Sequence, residues 1–333
     1  MSAASLVDRN PEVPADRLLA GLVPPRHFAH ATFAGYHPDP AHPSQVAALA
    51  RVRTMAEVVA RPRRRFARSR PDAVYLDGGF GVGKTHLLAA LAHAVGPERS
   101  AYGTFVEYTH LVGALGFRAT VRELAQHALV CIDEFELDDP GDTVLMSRLL
   151  RELSDHGVSL AATSNTLPES LGEGRFAADD FLREIQALAA RFEVLRVDGP
   201  DYRHRAAPRA VVGLPDDAVR AALARVPDGA CDDLDALFAH LRTVHPVRYG
   251  SLLDGVSLLG LTGVRPLTDQ ADALRLVVLV DRLYDRDVPV LLGGRGTDGL
   301  FTEAMLRGGY RKKYLRALSR LAELAERGRA SAG

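Results

Sequence analysis

An eight-residue glycine-rich segment constrains this chain more than any other feature. It reads Gly-Gly-Phe-Gly-Val-Gly-Lys-Thr from Gly78 to Thr85 and fits the pattern G-x-x-x-x-G-K-[ST]. An apolar run at Val74–Leu76 precedes it, and a leucine- and alanine-rich helical pattern at 86–92 follows it. A strand, a glycine-rich turn and a helix in this order build a loop that wraps phosphate groups. The sequence therefore predicts a nucleotide-binding α/β domain.

The residue types of this loop suit phosphate binding. Glycine reaches backbone conformations closed to other residues, so the loop N–H groups can turn toward the phosphates. The following helix adds the partial positive charge of its N-terminus. We expect Lys84 to bridge the β- and γ-phosphate oxygens and Thr85 to ligate Mg²⁺. The predicted nucleotide contacts are Gly78, Gly79, Phe80, Gly81, Val82, Gly83, Lys84, Thr85 and His86.

Two adjacent acids, Asp133 and Glu134, follow a second apolar run at Leu129–Ile132. Parallel sheets bind ligands at the carboxyl ends of their strands. We expect Asp133 to hold Mg²⁺ through its water shell. We expect Glu134 to orient and deprotonate an attacking water, which favours ATP hydrolysis over phosphate transfer to an organic acceptor. The alternative is that both acids only cap a helix.

A third apolar run, Ser159–Ala162, ends in Thr-Ser-Asn at 163–165. If its strand lies between the phosphate-loop strand and the Asp133 strand, Asn165 comes close to the γ-phosphate and the attacking water. Its amide could then sense the γ-phosphate. The alternative is a plain turn, because serine and asparagine favour turns.

Short apolar runs alternate with helical patterns between residues 74 and 197, which predicts a parallel sheet flanked by helices, of the P-loop type. The predicted strands are Val74–Leu76, Thr104–Tyr108, Leu129–Ile132, Ser159–Ala162 and Phe192–Val197. The predicted helices are Thr85–Val95, Arg122–His127, Asp142–Asp155 and Asp179–Ala190. A smaller C-terminal α/β region follows, with helices at Asp216–Arg225, Asp232–Arg242, Asp269–Asp285 and Lys313–Glu326 and strands at Val256–Leu261 and Val288–Leu292. We divide the chain into an N-terminal segment 1–70, an ATPase core 71–205 and a lid or partner domain 206–333.

Charge and cysteine content limit the class of partner and compartment. The net charge of −1 argues against a general nucleic-acid binder. Two cysteines, a hundred residues apart, exclude a disulfide scaffold and fit a reducing, cytoplasmic compartment. A basic stretch, Arg51–Arg70, has eight arginines and one acid. It is interpreted as a solvated helix face running into a linker, with a contact to lipid, nucleic acid or protein as the alternative.

The three motifs, in this order, resemble those of AAA+ ATPases. Further elements narrow the resemblance to the ZapE and AFG-type family, which comprises bacterial cell-division ATPases and their mitochondrial relatives. These elements are Phe33–Pro40, Ile132–Phe135, Ala162–Asn165, Asp201–Arg203 and Tyr314–Leu321. The resemblance implies a Mg²⁺-dependent ATPase that acts peripherally at the membrane of the division site, together with the FtsZ ring. It implies roles in ATP hydrolysis for Lys84, Thr85, Asp133, Glu134 and Asn165.

The resemblance also implies residues that act beyond the three motifs. A trans-acting arginine would reach the γ-phosphate of a neighbouring subunit in a homo-oligomer, and Arg175 is the first candidate and Arg183 the second. Tyr36 lies in a segment that folds over the adenine base in AAA+ chains, although it could equally pack in the core. Arg316 could sense the γ-phosphate from the C-terminal region, but its basic helix suits a solvated face or an acidic-lipid contact as well.

The sequence is also compatible with two other functions. Gly-Lys-Thr-His-Leu-Leu, beginning at Gly83, also occurs in helicase loaders and initiators, which would carry a DNA-binding appendage. The segments 232–242 and 246–253 do not form a convincing helix-turn-helix. A nucleotide-dependent scaffold without hydrolysis is the other alternative, and an intact Glu134 argues against it.

Overall fold

The computed structural model describes most of the chain and divides it into two compact units. The described residues are 4–11, 15–61, 72–79, 81–135, 140–167, 186–187, 189–200 and 210–332. One unit comprises residues 14–204, and the other comprises residues 1–13 with 205–333. The division proposed from the sequence placed residues 1–70 in one segment, whereas the structure assigns residues 4–11 to the unit that contains the C-terminus.

The first unit contains a five-stranded parallel sheet. Its strands are β1 (Ala73–Asp77), β2 (Ser100–Thr104), β3 (Leu129–Asp133), β4 (Ser159–Ser164) and β5 (Glu193–Arg196). Its described helices are α1 (Ala15–Ala20), α2 (Pro43–Ala60), α3 (Lys84–Val95), α4 (Phe105–Leu115), α5 (Phe117–Leu124) and α6 (Pro140–Asp155). The predicted parallel α/β fold with flanking helices is confirmed.

The strand order is β2-β3-β4-β1-β5. β4 therefore lies between β3 and β1, in the place that the sequence required for Asn165. Successive residues of each strand face opposite layers, because side chains alternate across a strand. In β1, Val74 and Leu76 pack with α2 and α3, while Tyr75 packs with α4 and α6. Both faces of the sheet are thus covered, and only its edges and strand ends can carry a site.

The second strand differs from its prediction. The structure places β2 at Ser100–Thr104, and the predicted strand Thr104–Tyr108 is the start of α4. Thr104 caps α4: its side chain accepts the N–H of Glu107 at 3.3 Å, and the Glu107 carboxylate accepts the N–H of Thr104 at 2.8 Å. This reciprocal capping box starts a helix. The β-prone side chains Phe105 and Tyr108 are buried on its inner face.

The second unit contains a three-stranded parallel sheet in the order β6-β7-β8. The strands are β6 (Gly229–Asp233), β7 (Leu258–Thr262) and β8 (Val290–Leu292). The described helices are α7 (Asp216–Leu223), α8 (Leu234–Leu241), α9 (Tyr249–Leu252), α10 (Gln270–Asp285), α11 (Glu303–Arg307) and α12 (Arg311–Ala332). The smaller C-terminal α/β region is confirmed as a fold, with a strand that the sequence did not predict.

That strand, β6, and two helices correct the predicted boundaries. The predicted helix Asp232–Arg242 begins two residues later, at Leu234, because Asp232 and Asp233 still belong to β6. The predicted helix Arg122–His127 is instead the end of α5, which stops at Leu124. Most of the predicted helix Asp179–Ala190 lies outside the described residues.

The N-terminal residues complete the second unit. Ala4 pairs with Ala230 in parallel, and Leu6 is fully buried in the core of this unit. Asp232 accepts hydrogen bonds from the Ser5 hydroxyl at 2.5 Å and from the Leu6 N–H at 2.9 Å. The start of the chain therefore covers the β6 edge of the sheet.

Within the described ranges, none of the helices combines the length and the apolar character that a membrane crossing would need.

Candidate nucleotide site

The glycine-rich loop leaves the carboxyl end of β1 and enters α3 with the geometry that glycine allows. The φ angles of Gly81 and Gly83 are +66° and +92°, in the left-handed region that side chains disfavour. At Gly78 the restriction is steric, since a Cβ atom there would lie 2.1 Å from the carbonyl oxygen of Val197. Phe80 lies outside the described residues. The sequence-predicted turn is thus a real turn that crosses the carboxyl edge of the sheet.

Lys84 is the first residue of α3, and its side chain is buried under this loop. Its Nζ donates to the carbonyl oxygen of Gly78 at 2.9 Å and also to that of Gly79. A third bond, 2.9 Å long, goes to Oδ1 of Asn165 at the end of β4. An ammonium group at this position can form strong charge-assisted hydrogen bonds with phosphate oxygens. The structure brings the predicted lysine and the predicted sensor amide into direct contact.

Asp133 ends β3, and its carboxylate collects hydrogen bonds from three elements. Its Oδ1 accepts from the Thr85 hydroxyl at 3.3 Å, from the Thr163 hydroxyl and from the Glu134 N–H at 3.1 Å. Its Oδ2 accepts from the Tyr102 hydroxyl at 2.9 Å. The loop, β2, β3 and β4 therefore meet at this one carboxylate.

The surroundings of Asp133 change its proton affinity. Burial raises the pKa of Asp133, and the negative charge of Glu134 raises it further, while the hydrogen bonds from Thr163 and Tyr102 act in the opposite direction. The net pKa is above the ordinary value for aspartate. A buried carboxylate that is costly to ionise gains most from a cation placed beside it.

Glu134 follows at the strand end in an uncommon backbone conformation. Its φ is +53°, in the left-handed region, which costs a residue with a side chain about 1–2 kcal/mol. Its N–H donates to Asp133 Oδ1 and to Thr163 Oγ1, both at 3.1 Å, and these bonds hold the turn. Strained residues of this kind concentrate at functional sites.

The site residues fit a magnesium ion. The Thr85 hydroxyl oxygen and the Asp133 carboxylate lie 3.3 Å apart, and both are the hard oxygen ligands that Mg²⁺ prefers. Among the described residues there is no cluster of three or more histidine, cysteine, aspartate or glutamate side chains that could hold a metal by itself. Mg²⁺ in nucleotide sites is bound by one or two protein oxygens together with phosphate oxygens, so this sparse donor set is the expected one.

Tyr36 supports the loop from the side of α3. Its hydroxyl donates to the carbonyl oxygen of Val82 at 3.1 Å, and its ring is buried 5.8 Å from the ring of His86. A Cβ atom on Gly83 would lie 2.5 Å from the ring of Tyr36. The tyrosine thus fixes the loop through its backbone. A contact of Tyr36 or His86 with the nucleotide stays a prediction.

Tyr102 and Thr163 were not predicted as site residues, whereas Gln45 belongs to the same upstream segment as Tyr36. Tyr102 and Thr163 bind Asp133. Gln45, fully buried in α2, donates to the carbonyl oxygen of Asp198 at 2.7 Å and accepts the N–H of Asp39 at 2.8 Å. Thr163 was within reach of the sequence, since it precedes Asn165 by two residues on the same strand. The role of Tyr102 depends on its tertiary neighbours, and the sequence gave no local signal for it.

Arg175 and Arg183 lie outside the described residues. Arg316 donates to Asp281 at 2.8 Å within the second unit. Arg51 pairs with Glu193 at 2.8 Å and with Asp72 at 3.2 Å, as expected for a structural arginine, while residues 62–71 of the basic stretch lie outside the described part.

Comparison with known proteins places these motifs in context. The model of the AFG1-like ATPase family matches residues 12–228 and 216–329. The chain is 32% identical over 152 residues to cell division protein ZapE of Escherichia coli K12, which is 42% of this chain and 40% of that protein. It is 29% identical over 150 residues to the uncharacterized protein C115.02c of Schizosaccharomyces pombe, which is 40% of this chain and 33% of that protein. The matched parts therefore span less than half the length of these relatives.

Among solved structures, the fold is similar to domain III of the replication initiation protein DnaA from Thermotoga maritima. The TM-score is 0.39 and the identity is 19%, over 59% of this chain and 74% of that one. The fold is also similar to PCH-2 of Caenorhabditis elegans, with a TM-score of 0.35 and 16% identity over 93% of this chain and 74% of that one.

Proposed function

The chain belongs to the AFG1-like ATPase family, and we propose from this membership and from the site that it hydrolyses ATP with Mg²⁺ to drive or regulate a protein assembly. The observation that carries the proposal is the pair of hydrogen bonds that joins the three motifs. Lys84 Nζ contacts Asn165 Oδ1 at 2.9 Å, and Thr85 Oγ1 contacts Asp133 Oδ1 at 3.3 Å. Residues from three separate strand ends thus converge where a parallel sheet binds its ligand.

The roles follow from the chemistry of each side chain. The loop N–H groups and the α3 N-terminus receive the phosphates, and Lys84 neutralises charge on the β- and γ-phosphate oxygens. Mg²⁺, held by Thr85 and Asp133, would supply charge neutralisation on the same oxygens. Glu134 accepts a proton from the attacking water. Asn165, whose Oδ1 is taken by Lys84, keeps its amide N–H groups to donate to that water or to the γ-phosphate.

An oligomer completes the proposed site. Charge that develops on the γ-phosphate in the transition state is commonly offset by an arginine from a second subunit. We assign this role to Arg175, with Arg183 as the second candidate, and therefore expect a nucleotide-dependent homo-oligomer. An ATP turnover rate per subunit that rises with protein concentration, and that is lost in Arg175→Ala, would support the assignment.

The assembly on which the ATPase acts is proposed to belong to cell division. The support is the similarity to a relative from Escherichia coli that is named a cell division protein. The protein would then act on the cytoplasmic side of the division site, on FtsZ or another component of the division ring, with a peripheral contact to the membrane. A purified division-ring polymer whose assembly does not respond to this protein with ATP would contradict this part of the proposal.

Glu134→Gln tests the reaction. The substitution keeps the size of the side chain and removes the base, so ATP binding should persist while phosphate release falls by about 100-fold or more. Glu98→Gln, at an exposed turn after α3, is the matched control and should leave both quantities unchanged. Unchanged phosphate release in Glu134→Gln would show that Glu134 is not the base. If the wild-type protein binds ATP but does not hydrolyse it, alone or with partners, the alternative function of a nucleotide-dependent scaffold would be favoured.

A further inference from the structure

Tyr102 on β2 makes a contact that the three motifs do not include. It lies on the face of the sheet that packs against α3, opposite Cys131 of β3, and it is 2% exposed. Its hydroxyl donates to Asp133 Oδ2 at 2.9 Å. β2 is an edge strand and carries none of the predicted site residues. The tyrosine is therefore the contribution of this edge strand to the nucleotide site.

The two oxygens of Asp133 differ in how many donors they accept. Oδ1 accepts from Thr85, from Thr163 and from the N–H of Glu134, whereas Oδ2 accepts from Tyr102. An ionised carboxylate offers about four lone-pair sites in all, two on each oxygen. Oδ1 is thus saturated, and Oδ2 is the oxygen with capacity for a further donor. The hydrogen bond from Tyr102 takes up one of the two lone-pair sites of Oδ2.

We propose that Tyr102 is a positioning residue for the magnesium ion, which orients Asp133 Oδ2 toward the water shell of Mg²⁺·ATP. This inference rests on the proposed ATPase function. Partners that hydrogen-bond a metal-binding carboxylate fix its orientation, and losing one typically costs about 10- to 100-fold in metal affinity. Tyr102 acts through Asp133 and does not touch the substrate.

The chain contains a matched control for this contact. Tyr108 on α4 is as deeply buried, and its hydroxyl donates at 3.1 Å to the backbone carbonyl oxygen of Cys131, on the same strand that ends in Asp133. Tyr108→Phe removes one buried phenolic hydrogen bond beside β3, as Tyr102→Phe does. Only Tyr102→Phe removes a donor to the carboxylate. Any general effect of losing such a bond is therefore common to both variants.

The experiment titrates Mg²⁺ into each variant with a fluorescent ATP analogue and reads nucleotide binding, at a temperature at which thermal melting shows every variant folded. Tyr102→Phe should raise the Mg²⁺ concentration at half-saturation about 10-fold or more. Nucleotide binding in excess EDTA should not change, and Tyr108→Phe should match the wild type in both measurements. Equal midpoints for Tyr102→Phe and the wild type would overturn the inference.

A double-mutant cycle separates orientation of Asp133 from a general packing defect. In an Asp133→Asn background, Tyr102→Phe should add no further shift in the Mg²⁺ midpoint, because the carboxylate that it orients is gone. A full additional shift would overturn the inference and leave the proposed function intact. Wild-type protein whose nucleotide binding ignores Mg²⁺ would instead overturn both.

Discussion

The two parallel sheets of this chain end in glycine-rich turns, but they treat the carboxyl ends of their strands differently. In the first unit, the turn that begins at Gly78 leads into α3, and polar side chains at the ends of β2, β3 and β4 lie beside the first residues of that helix. In the second unit, the N–H groups of Gly263 and Gly294, after β7 and β8, donate to Asp216 at 3.1–3.2 Å and 3.1 Å. The carboxylate of Asp216 thus occupies the position in which a bound anion would accept those bonds.

If the first sheet binds a nucleotide as proposed, the two sheets differ in what occupies the carboxyl ends of their strands: a ligand in the first unit and the chain's own carboxylate in the second. Asp232, near the end of β6, is another carboxylate that the chain satisfies, since its two oxygens accept hydrogen bonds from Ser5 and Leu6. The second sheet also has glycine-rich turns and carboxylates at its strand ends, but these groups form hydrogen bonds with one another and with the N-terminal residues. The first sheet has a buried lysine beside its glycine-rich turn, and a phosphate bound there would form charge-assisted hydrogen bonds with it.

Buried carboxylates show the same contrast. The pKa of Asp133 is raised, because burial and the charge of Glu134 both oppose its ionisation. Burial also acts to raise the pKa of Asp281 on α10, but the guanidinium groups of Arg316 and Arg320 outweigh it and hold the pKa below the ordinary value. The charge of Asp281 is compensated by two guanidinium groups, whereas the hydrogen bonds that Asp133 accepts come from hydroxyl groups and a backbone N–H.

The largest effect is expected from Gly78→Ala, which displaces the glycine-rich loop at the carboxyl edge of the sheet in the first unit. The added Cβ would lie 2.1 Å from the carbonyl oxygen of Val197, a backbone atom that cannot turn away. Displacing the loop should cost about 3 kcal/mol, so ATP affinity should fall roughly 100-fold. Isothermal titration calorimetry with ATP and Mg²⁺ measures this loss.

Gly113→Ala is the control for that variant. Gly113 lies on an exposed part of α4, and a Cβ there would meet no atom within 4 Å. This variant should bind ATP as the wild type does and gain about 0.5–1 kcal/mol of stability. Equal ATP affinity in the Gly78 and Gly113 variants would mean that the loop does not carry the nucleotide.

How far the sequence predicted this site depended on where each signal lies. Asp133 and Asn165 stand at the ends of apolar strands, and Lys84 stands at the end of a recognisable glycine-rich loop, so the sequence could place all three at the carboxyl edge of the sheet. β2 was placed four residues late, because Ser-Ala-Tyr-Gly-Thr at 100–104 is weakly apolar while Phe105–Tyr108 has β-prone side chains. The Thr104–Glu107 capping box was the sequence signal that favoured a helix there.

Other features had no signal in the sequence. The contact of Tyr102 with Asp133 depends on the pairing of β2 with β3, and a shift of one residue would turn the tyrosine to the other face. The pairing of Ala4 with Ala230 joins residues more than two hundred positions apart. The periodicity of apolar residues predicts local helices and strands, whereas the pairing register of strands that are distant in sequence depends on tertiary packing.

A smaller effect is expected from Asp216→Ala, which removes the carboxylate that accepts the backbone N–H groups after β7 and β8 in the second unit. The substitution leaves the N–H groups of Gly263 and Gly294 without their acceptor, at a cost of about 1–3 kcal/mol. Hydrogen exchange should become faster in β7 and β8 and remain unchanged in β1 to β5, with ATP affinity preserved. Asp217→Ala, at the exposed neighbouring position of α7, should change exchange in neither sheet. Weakened ATP binding in Asp216→Ala would contradict the separation of the two edges.

The smallest effect concerns acid stability of the second unit. Because the folded pKa of Asp281 lies below its ordinary value, its ion pairs stabilise the fold fully above about pH 3.9. This contribution is lost as the pH falls from there through the lower folded pKa, when the carboxylate is protonated and releases Arg316 and Arg320. The midpoint of urea unfolding, followed by exchange in α10 and α12, should therefore drop over this acid range.

Asp281→Asn should flatten that pH dependence while lowering stability at neutral pH, since it removes the carboxylate that both Arg316 and Arg320 contact. Asp235→Asn removes an exposed ion pair with Arg265 and should leave the slope as in the wild type, because solvent screens such pairs. An unchanged slope in Asp281→Asn would show that the acid sensitivity of this unit arises elsewhere. The compensated carboxylate would then not be what distinguishes the second unit from the first.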